Sequence, residues 1–153
     1  MGSQFTRGKG FTLIELMVAI TIIAVLASLG VPSFVRMIAD QRAKSAATDL
    51  FTALTVARSE AIKHNANVSL APKEGQWYKG WVVLDPEGGR NLLDASAPGV
   101  PISGGPASVV YTAGGRLAGA TSAPTFTIGE SDMPQRCLSI DLSGRPHIKA
   151  SAC

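Results

Sequence analysis

Residues 8–34 read GKGFTLIELMVAITIIAVLASLGVPSF and hold a single carboxylate, Glu15, inside an otherwise apolar run. As a helix rising about 1.5 Å per residue, Phe11 to Val31 covers ~31 Å, enough to cross the hydrocarbon core of a bilayer. Arg7 and Lys9 precede the run and no Lys or Arg occurs within it, so the positive-inside rule places the N-terminus in the cytoplasm. A cleaved secretory signal has a shorter apolar core, about 7–15 residues, followed by a small-residue site such as A-x-A. Ala24, Ala27 and Ser28 offer small residues, yet the run continues beyond them. The segment reads as a single membrane pass with a domain on the far side.

Glu15 does not suit a plain anchor. A carboxylate at the centre of such a helix costs about 2.5–3.5 kcal/mol, less toward an end, and calls for a cationic partner. Phe11 to Val35 contains no Lys or Arg, so the partner comes from a chain terminus or from another molecule.

Lys9-Gly10-Phe11-Thr12-Leu13-Ile14-Glu15-Leu16 resembles the class III signal of type IV prepilins and type II secretion pseudopilins. The resemblance implies that a prepilin peptidase, a membrane aspartyl enzyme, cuts between Gly10 and Phe11 and methylates the new N-terminal Phe11. It also implies that Glu15 serves subunit assembly. The physics agrees, because cleavage creates an ammonium at Phe11 that can pair with Glu15 of a neighbouring subunit. At 4 Å and an effective dielectric near 20, such a pair attracts by about 4 kcal/mol before desolvation.

The rest of the chain has the composition of a soluble domain. Its 153 residues leave room for one compact domain plus an appendage. Of the net charge of +3, Arg7 and Lys9 would leave with a leader, so the basicity gives little support to a nucleic-acid partner. Cys137 and Cys153 form neither a CxxC pair nor a His/Cys cluster with zinc spacing. Export of the domain favours a disulfide between them over two free thiols, and closing that loop would stabilise the fold by about 3 kcal/mol.

Gly30 and Pro32 interrupt the apolar run near its end, where Pro removes a backbone donor and a kink is expected. Residues 33–64 then read as helix without Gly or Pro, with Ala47, Leu50, Leu54, Ala57 and Ala61 on one face. Arg42, Lys44, Asp49, Arg58, Glu60 and Lys63 fall mostly on the other side, a mixed-sign surface suited to solvent or a subunit contact. Strands are expected at 67–71, 77–85, 108–117, 125–129, 136–142 and 147–151. Residues 85–124 are dense in Gly and Pro and read as a turn-rich, partly mobile connector around the strand at 108–117.

Ala57-Arg58-Ser59-Glu60-Ala61-Ile62-Lys63, a Val-Ser-Leu strand, Gly80-Trp81-Val82-Val83 and Ser143-Gly144-Arg145 together resemble the GspH/FimT group of minor pilins and pseudopilins. That resemblance implies an α+β fold: a long N-terminal helix, transmembrane in its first half and amphipathic in its second, packed on a β-rich head of two sheets. The expected divisions are a leader at 1–10, a transmembrane and assembly helix at 11–32, an amphipathic helix at 33–64 and the head at 65–153.

The chain shows no arrangement suited to catalysis or to a cofactor. His64 and His147 are far apart, and neither G-x-S-x-G nor H-E-x-x-H is present. Asp85 and Glu87 suggest a turn, since calcium wants more oxygen ligands. Binding is a separate matter. Arg145, His147 and Lys149 alternate, so an extended strand points all three to one face with Ile148 opposite. With Arg136, and with Arg116 if it lies nearby, they could contact the phosphates of double-stranded DNA. Some FimT-type members bind DNA through a C-terminal Gly-Arg-x-Arg motif, and here the corresponding residues are Gly144-Arg145-Pro146-His147. The second Arg is replaced by a pH-dependent cation, and no aromatic flanks the patch for base stacking.

The leading expectation is a minor type IV pilin in a pilus tip or priming complex, with other pilins and the inner membrane as partners and a periplasmic head. The alternatives are a GspH-type minor pseudopilin of type II secretion, and a receptor for extracellular DNA.

Overall fold

A computed structural model describes residues 10–88, 90–96 and 98–153. The expected leader therefore lies outside the described residues except for Gly10, as do Arg7 and Lys9. The chain divides into two compact units, Met1–Val35 and Arg36–Cys153.

The first element, α1, runs without a break from Leu13 to His64, with Pro32 inside it. Gly30 and Pro32 thus do not end the helix, although Pro32 still lacks a donor for the ladder. An 18-residue window of α1 has a mean hydropathy of 2.4 and no buried residue, so the helix is long and apolar enough to cross a membrane. Its C-terminus closes at Asn65, whose φ of 49° is left-handed. Ala66 N–H bonds the Ala61 carbonyl at 3.2 Å and Asn65 N–H bonds that of Ile62 at 3.3 Å. This is the Schellman pattern, with Asn in the usual glycine place, and Lys63 and His64 put basic residues in the last turn.

In the second unit, Ala43, Ala46, Ala47, Leu50, Ala53, Leu54, Ala57 and Ala61 of α1 are buried. The alanines let the helix lie close to the head. Two antiparallel four-stranded sheets complete the unit, in the orders β3-β2-β1-β5 and β4-β6-β7-β8. The strands are β1 (Val68–Pro72), β2 (Trp81–Leu84), β3 (Asn91–Ala95), β4 (Ile102–Gly104), β5 (Val109–Tyr111), β6 (Thr125–Ile128), β7 (Arg136–Ile140) and β8 (Pro146–Lys149). Val68, Leu70, Trp81, Val83 and Tyr111 from the first sheet, and Phe126, Ile128, Leu138 and Ile140 from the second, share one core with the α1 face.

Three expectations change. Residues 85–124 are more than a connector, because β3 and β4 form there as edge strands of the two sheets. The expected strand at 77–85 starts only at Trp81, since Trp77–Lys79 is a 3-10 turn that turns Trp77 inward. The strand expected at 108–117 is β5 followed by a tight return, in which Leu117 bridges back to Tyr111.

Trp77 ties the sheets to each other. Its ring meets that of Phe126 edge-on, with centroids 5.0 Å apart, and its indole N–H donates to the Pro106 carbonyl at 2.9 Å. Cys137 and Cys153 form a disulfide with Cα atoms 4.9 Å apart, fastening the last residues to β7.

Candidate functional site

Two regions carry the candidate residues, the start of α1 and the hairpin between β7 and β8. At the first, Thr12 and Glu15 clasp each other. Glu15 N–H donates to the Thr12 hydroxyl at 3.2 Å, while Thr12 N–H and the Thr12 hydroxyl donate to Glu15 Oε2 at 2.8 and 2.9 Å. This is a capping box, in which the N-cap side chain and the acid three residues on satisfy each other's backbone donors. The acid also lies in the first turn of α1, where the helix dipole favours negative charge. Glu15 thus has a local role that the search for a cationic partner overlooked. The signal was visible as Thr-x-x-Glu ahead of an apolar run. These bonds engage Oε2 and leave Oε1 open among the described residues. Phe11 is exposed beside it.

At the second region, Asp141 organises the turn. Its carboxylate accepts from the Ser143 hydroxyl at 2.6 Å, from Arg145 N–H at 2.9 Å, and faces His147 Nε2 at 3.5 Å. Asp141 N–H donates to the Arg145 carbonyl and Gly144 N–H to that of Asp141. These donors, led by the Ser143 hydroxyl, hold the Asp141 carboxyl far below the usual range. A carboxyl depressed on folding stabilises the folded chain above its ordinary pKa, and that contribution fades as pH falls toward the folded value. The turn is therefore fully braced at neutral pH.

The β7–β8 register pairs Cys137 with Lys149 and Ser139 with His147. Side chains alternate across a strand, so His147 and Lys149 share the face opposite Leu138 and Ile140, and both are exposed. Arg145 continues the same phase opposite Asp141. Arg136 does not join them. It lies on the Leu138 face of β7, where its guanidinium binds Asp40 of α1 at 2.6 Å and the Gln135 carbonyl at 3.1 Å. A solvent-facing row of Arg145, His147 and Lys149 thus remains, with the Asp141 carboxylate set at its turn end. Asp141 was not singled out as a site residue, though Asp-x-Ser-Gly-Arg carries the acceptor at the position a turn requires.

Arg116 lies in the return after β5, next to Gly115, its carbonyl accepting from Thr112 N–H at 2.9 Å. That return and the β7–β8 turn meet at two glycines. Arg58 Nε donates to the Gly115 carbonyl at 2.8 Å, so α1 holds the junction from below.

A long capped apolar helix, followed in the chain by a two-sheet head, has its counterpart in family comparisons. The family described as "Type II transport protein GspH" matches residues 46–144, and the "Prokaryotic N-terminal methylation motif" matches residues 6–31. The chain belongs to the GspH family. Its members are type IV pilin-like minor pilins and pseudopilins, structural subunits that associate with other pilins.

The GspH assignment agrees with solved structures. Two crystal structures of the type IV minor pilin FimU of Pseudomonas aeruginosa align with a TM-score of 0.59, at 29% and 26% identity. The alignments cover 69% and 71% of this chain and 91% and 89% of FimU. The type IV major pilin protein PilA of Myxococcus xanthus is 35% identical over 106 residues, which are 65% of this chain and 48% of PilA. The chain thus spans about half the length of that curated relative. In a GspH-family chain the exposed apolar helix is the part that anchors in a membrane and enters an assembly.

Proposed function

We propose that the chain is a minor type IV pilin, a structural subunit of a pilus tip or priming complex. The supporting observation is the likeness to FimU, a type IV minor pilin, which extends over nearly all of the FimU chain. In this reading the prepilin peptidase removes residues 1–10 by cutting after Gly10, and Phe11 becomes the methylated N-terminus. Residues 11–32 then serve as the membrane and assembly segment, residues 33–64 as the amphipathic half of α1, and residues 65–153 as a periplasmic head later carried into the pilus. The open Oε1 of Glu15 receives the Phe11 ammonium of a neighbouring subunit while Oε2 keeps the cap.

Two variants test this in cells. Gly10→Ala is expected to leave an uncut precursor, read by mass, and a normally sized, methylated product overturns the processing. Glu15→Ala is expected to insert in the membrane yet be depleted about tenfold or more from sheared pili, given the size of one ion pair. Wild-type amounts in pili overturn the role of Glu15. The family description favours a second machine, the type II secretion pseudopilus. Recovery of the chain with secretion pseudopilins and its absence from pili decide for that machine.

The exposed Arg145, His147 and Lys149 row also supports contact with double-stranded DNA. The full chain in detergent, titrated with duplex, is expected to bind more weakly as salt rises, and Arg145→Ala with Lys149→Ala to reduce the salt dependence by about two charges. Absence of binding at low salt, or an unchanged salt slope in the double variant, removes DNA from the account.

A further inference from the structure

We propose that the return after β5 is a second arm of the nucleic-acid surface, with Arg116 meeting the phosphates of a DNA duplex beside Arg145. The inference rests on the DNA reading above and deepens it, adding an element that the C-terminal hairpin does not contain. Arg116 and Arg145 are far apart in sequence, and a backbone contact brings them together. The Gly115 carbonyl oxygen packs so closely on Gly144 that a Cβ there would overlap it. Arg116 follows the first of these glycines and Arg145 the second, and both side chains are exposed. Arg58 Nε of α1 holds the same Gly115 carbonyl at 2.8 Å. The Thr112 N–H and hydroxyl close the return by donating to the Arg116 carbonyl at 2.9 and 3.1 Å. The two loops are thus fixed to each other before a ligand arrives, so little loop ordering opposes binding.

Charge decides what such a surface takes. Arg58, Arg116, Arg145 and Lys149 form no ion pair among the described residues. Asp141 is the only acid within residues 112–118 and 141–149, and its carboxylate is engaged by the Ser143 hydroxyl and Arg145 N–H. Cations in excess on two exposed loops suit a polyanion that lies across a surface. Duplex DNA carries one phosphate charge per about 1.7 Å of its axis, so cations on neighbouring loops meet phosphates without a sequence-specific fit. Residues 112–118 and 141–149 contain no Phe, Tyr or Trp. Without a stacking platform the contact is with a duplex backbone and not with single-stranded bases.

The test titrates the full chain in detergent with a duplex of mixed sequence at several salt concentrations. Arg116→Ala is expected to lower the salt slope of log K by about 0.9, the counterion of one phosphate. Arg116→Lys keeps the point charge and is expected to keep the wild-type slope. Arg90→Ala is the control, because Arg90 is also exposed but precedes β3, at the edge of the first sheet opposite β5. It is expected to leave the slope unchanged. A wild-type slope in Arg116→Ala overturns the second arm and leaves the hairpin contact standing. An equal loss in Arg90→Ala also overturns it, because net charge and not position would then set the effect. A wild-type chain that binds no duplex at low salt removes the second arm together with the DNA reading, so the two failures are told apart.

Discussion

Trp77→Ala lowers the unfolding free energy of the head by about 3–5 kcal/mol, the range for truncating a large buried aromatic. The size follows from where Trp77 sits. It lies outside both sheets, in the 3-10 turn between β1 and β2, and its ring crosses to Phe126 of the second sheet. Truncation therefore removes more than buried area, because one sheet loses its hold on the other. Trp77→Phe separates the contributions: it keeps a ring against Phe126 and loses the bond to the Pro106 carbonyl, costing about 1–3 kcal/mol. Urea unfolding of the full chain in detergent measures both. Trp81 remains as the only tryptophan and reports the transition. A loss below about 1 kcal/mol for Trp77→Ala would mean that the shared core alone keeps the sheets together.

The second large effect is expected at Gly144. Its φ of 86° lies in the left-handed region, which costs a residue with Cβ about 1–2 kcal/mol. An added methyl would also overlap the Gly115 carbonyl oxygen and stand 3.0 Å from the Tyr111 ring. Neither neighbour yields easily, since the Gly115 carbonyl is held by Arg58 and Tyr111 is fully buried. Overpacking of that kind adds about 1–3 kcal/mol, so Gly144→Ala is expected to destabilise the head by about 2–5 kcal/mol. Gly115→Ala is the comparison. Its φ of 70° carries the same backbone penalty, but its methyl would meet side-chain atoms only, those of Ile62 and the Arg58 Nε, and not a backbone carbonyl. It should lose about half as much, and the same urea titration checks both variants. Equal losses at the two positions would contradict the rigid contact at Gly144.

The Gly in Gly-Arg is thus explained by packing as well as by any ligand. Sequence reading reached the Gly-Arg pair through its neighbours in the chain, whereas the contact that requires glycine comes from a return 29 residues earlier, at Gly115. Such a partner leaves no trace in local pattern. Periodicity did find the α1 face, because Ala47, Leu50, Leu54, Ala57 and Ala61 repeat at helical spacing and all five are buried. An apolar run marked β2, and alternation of apolar and polar residues marked β7 in the last third. β3 and β4 escaped for a physical reason. Asn-Leu-Leu-Asp-Ala lacks β-branched residues, Ile-Ser-Gly is only one turn of alternation long, and both lie at sheet edges where one neighbour suffices. Arg136 was grouped with the hairpin cations by proximity in sequence. Its phase on β7, set by Leu138 and Ile140, directs it instead toward Asp40.

At the opposite end of the chain, the clasp of Thr12 and Glu15 fixes where α1 begins without using any residue before Thr12. Removing what precedes Phe11 would leave both partners and all three bonds in place. Such a cut would change the charge at that end and not its shape. A subunit would leave the peptidase with its first turn already set, and the new ammonium would be the only thing a neighbour had to recognise.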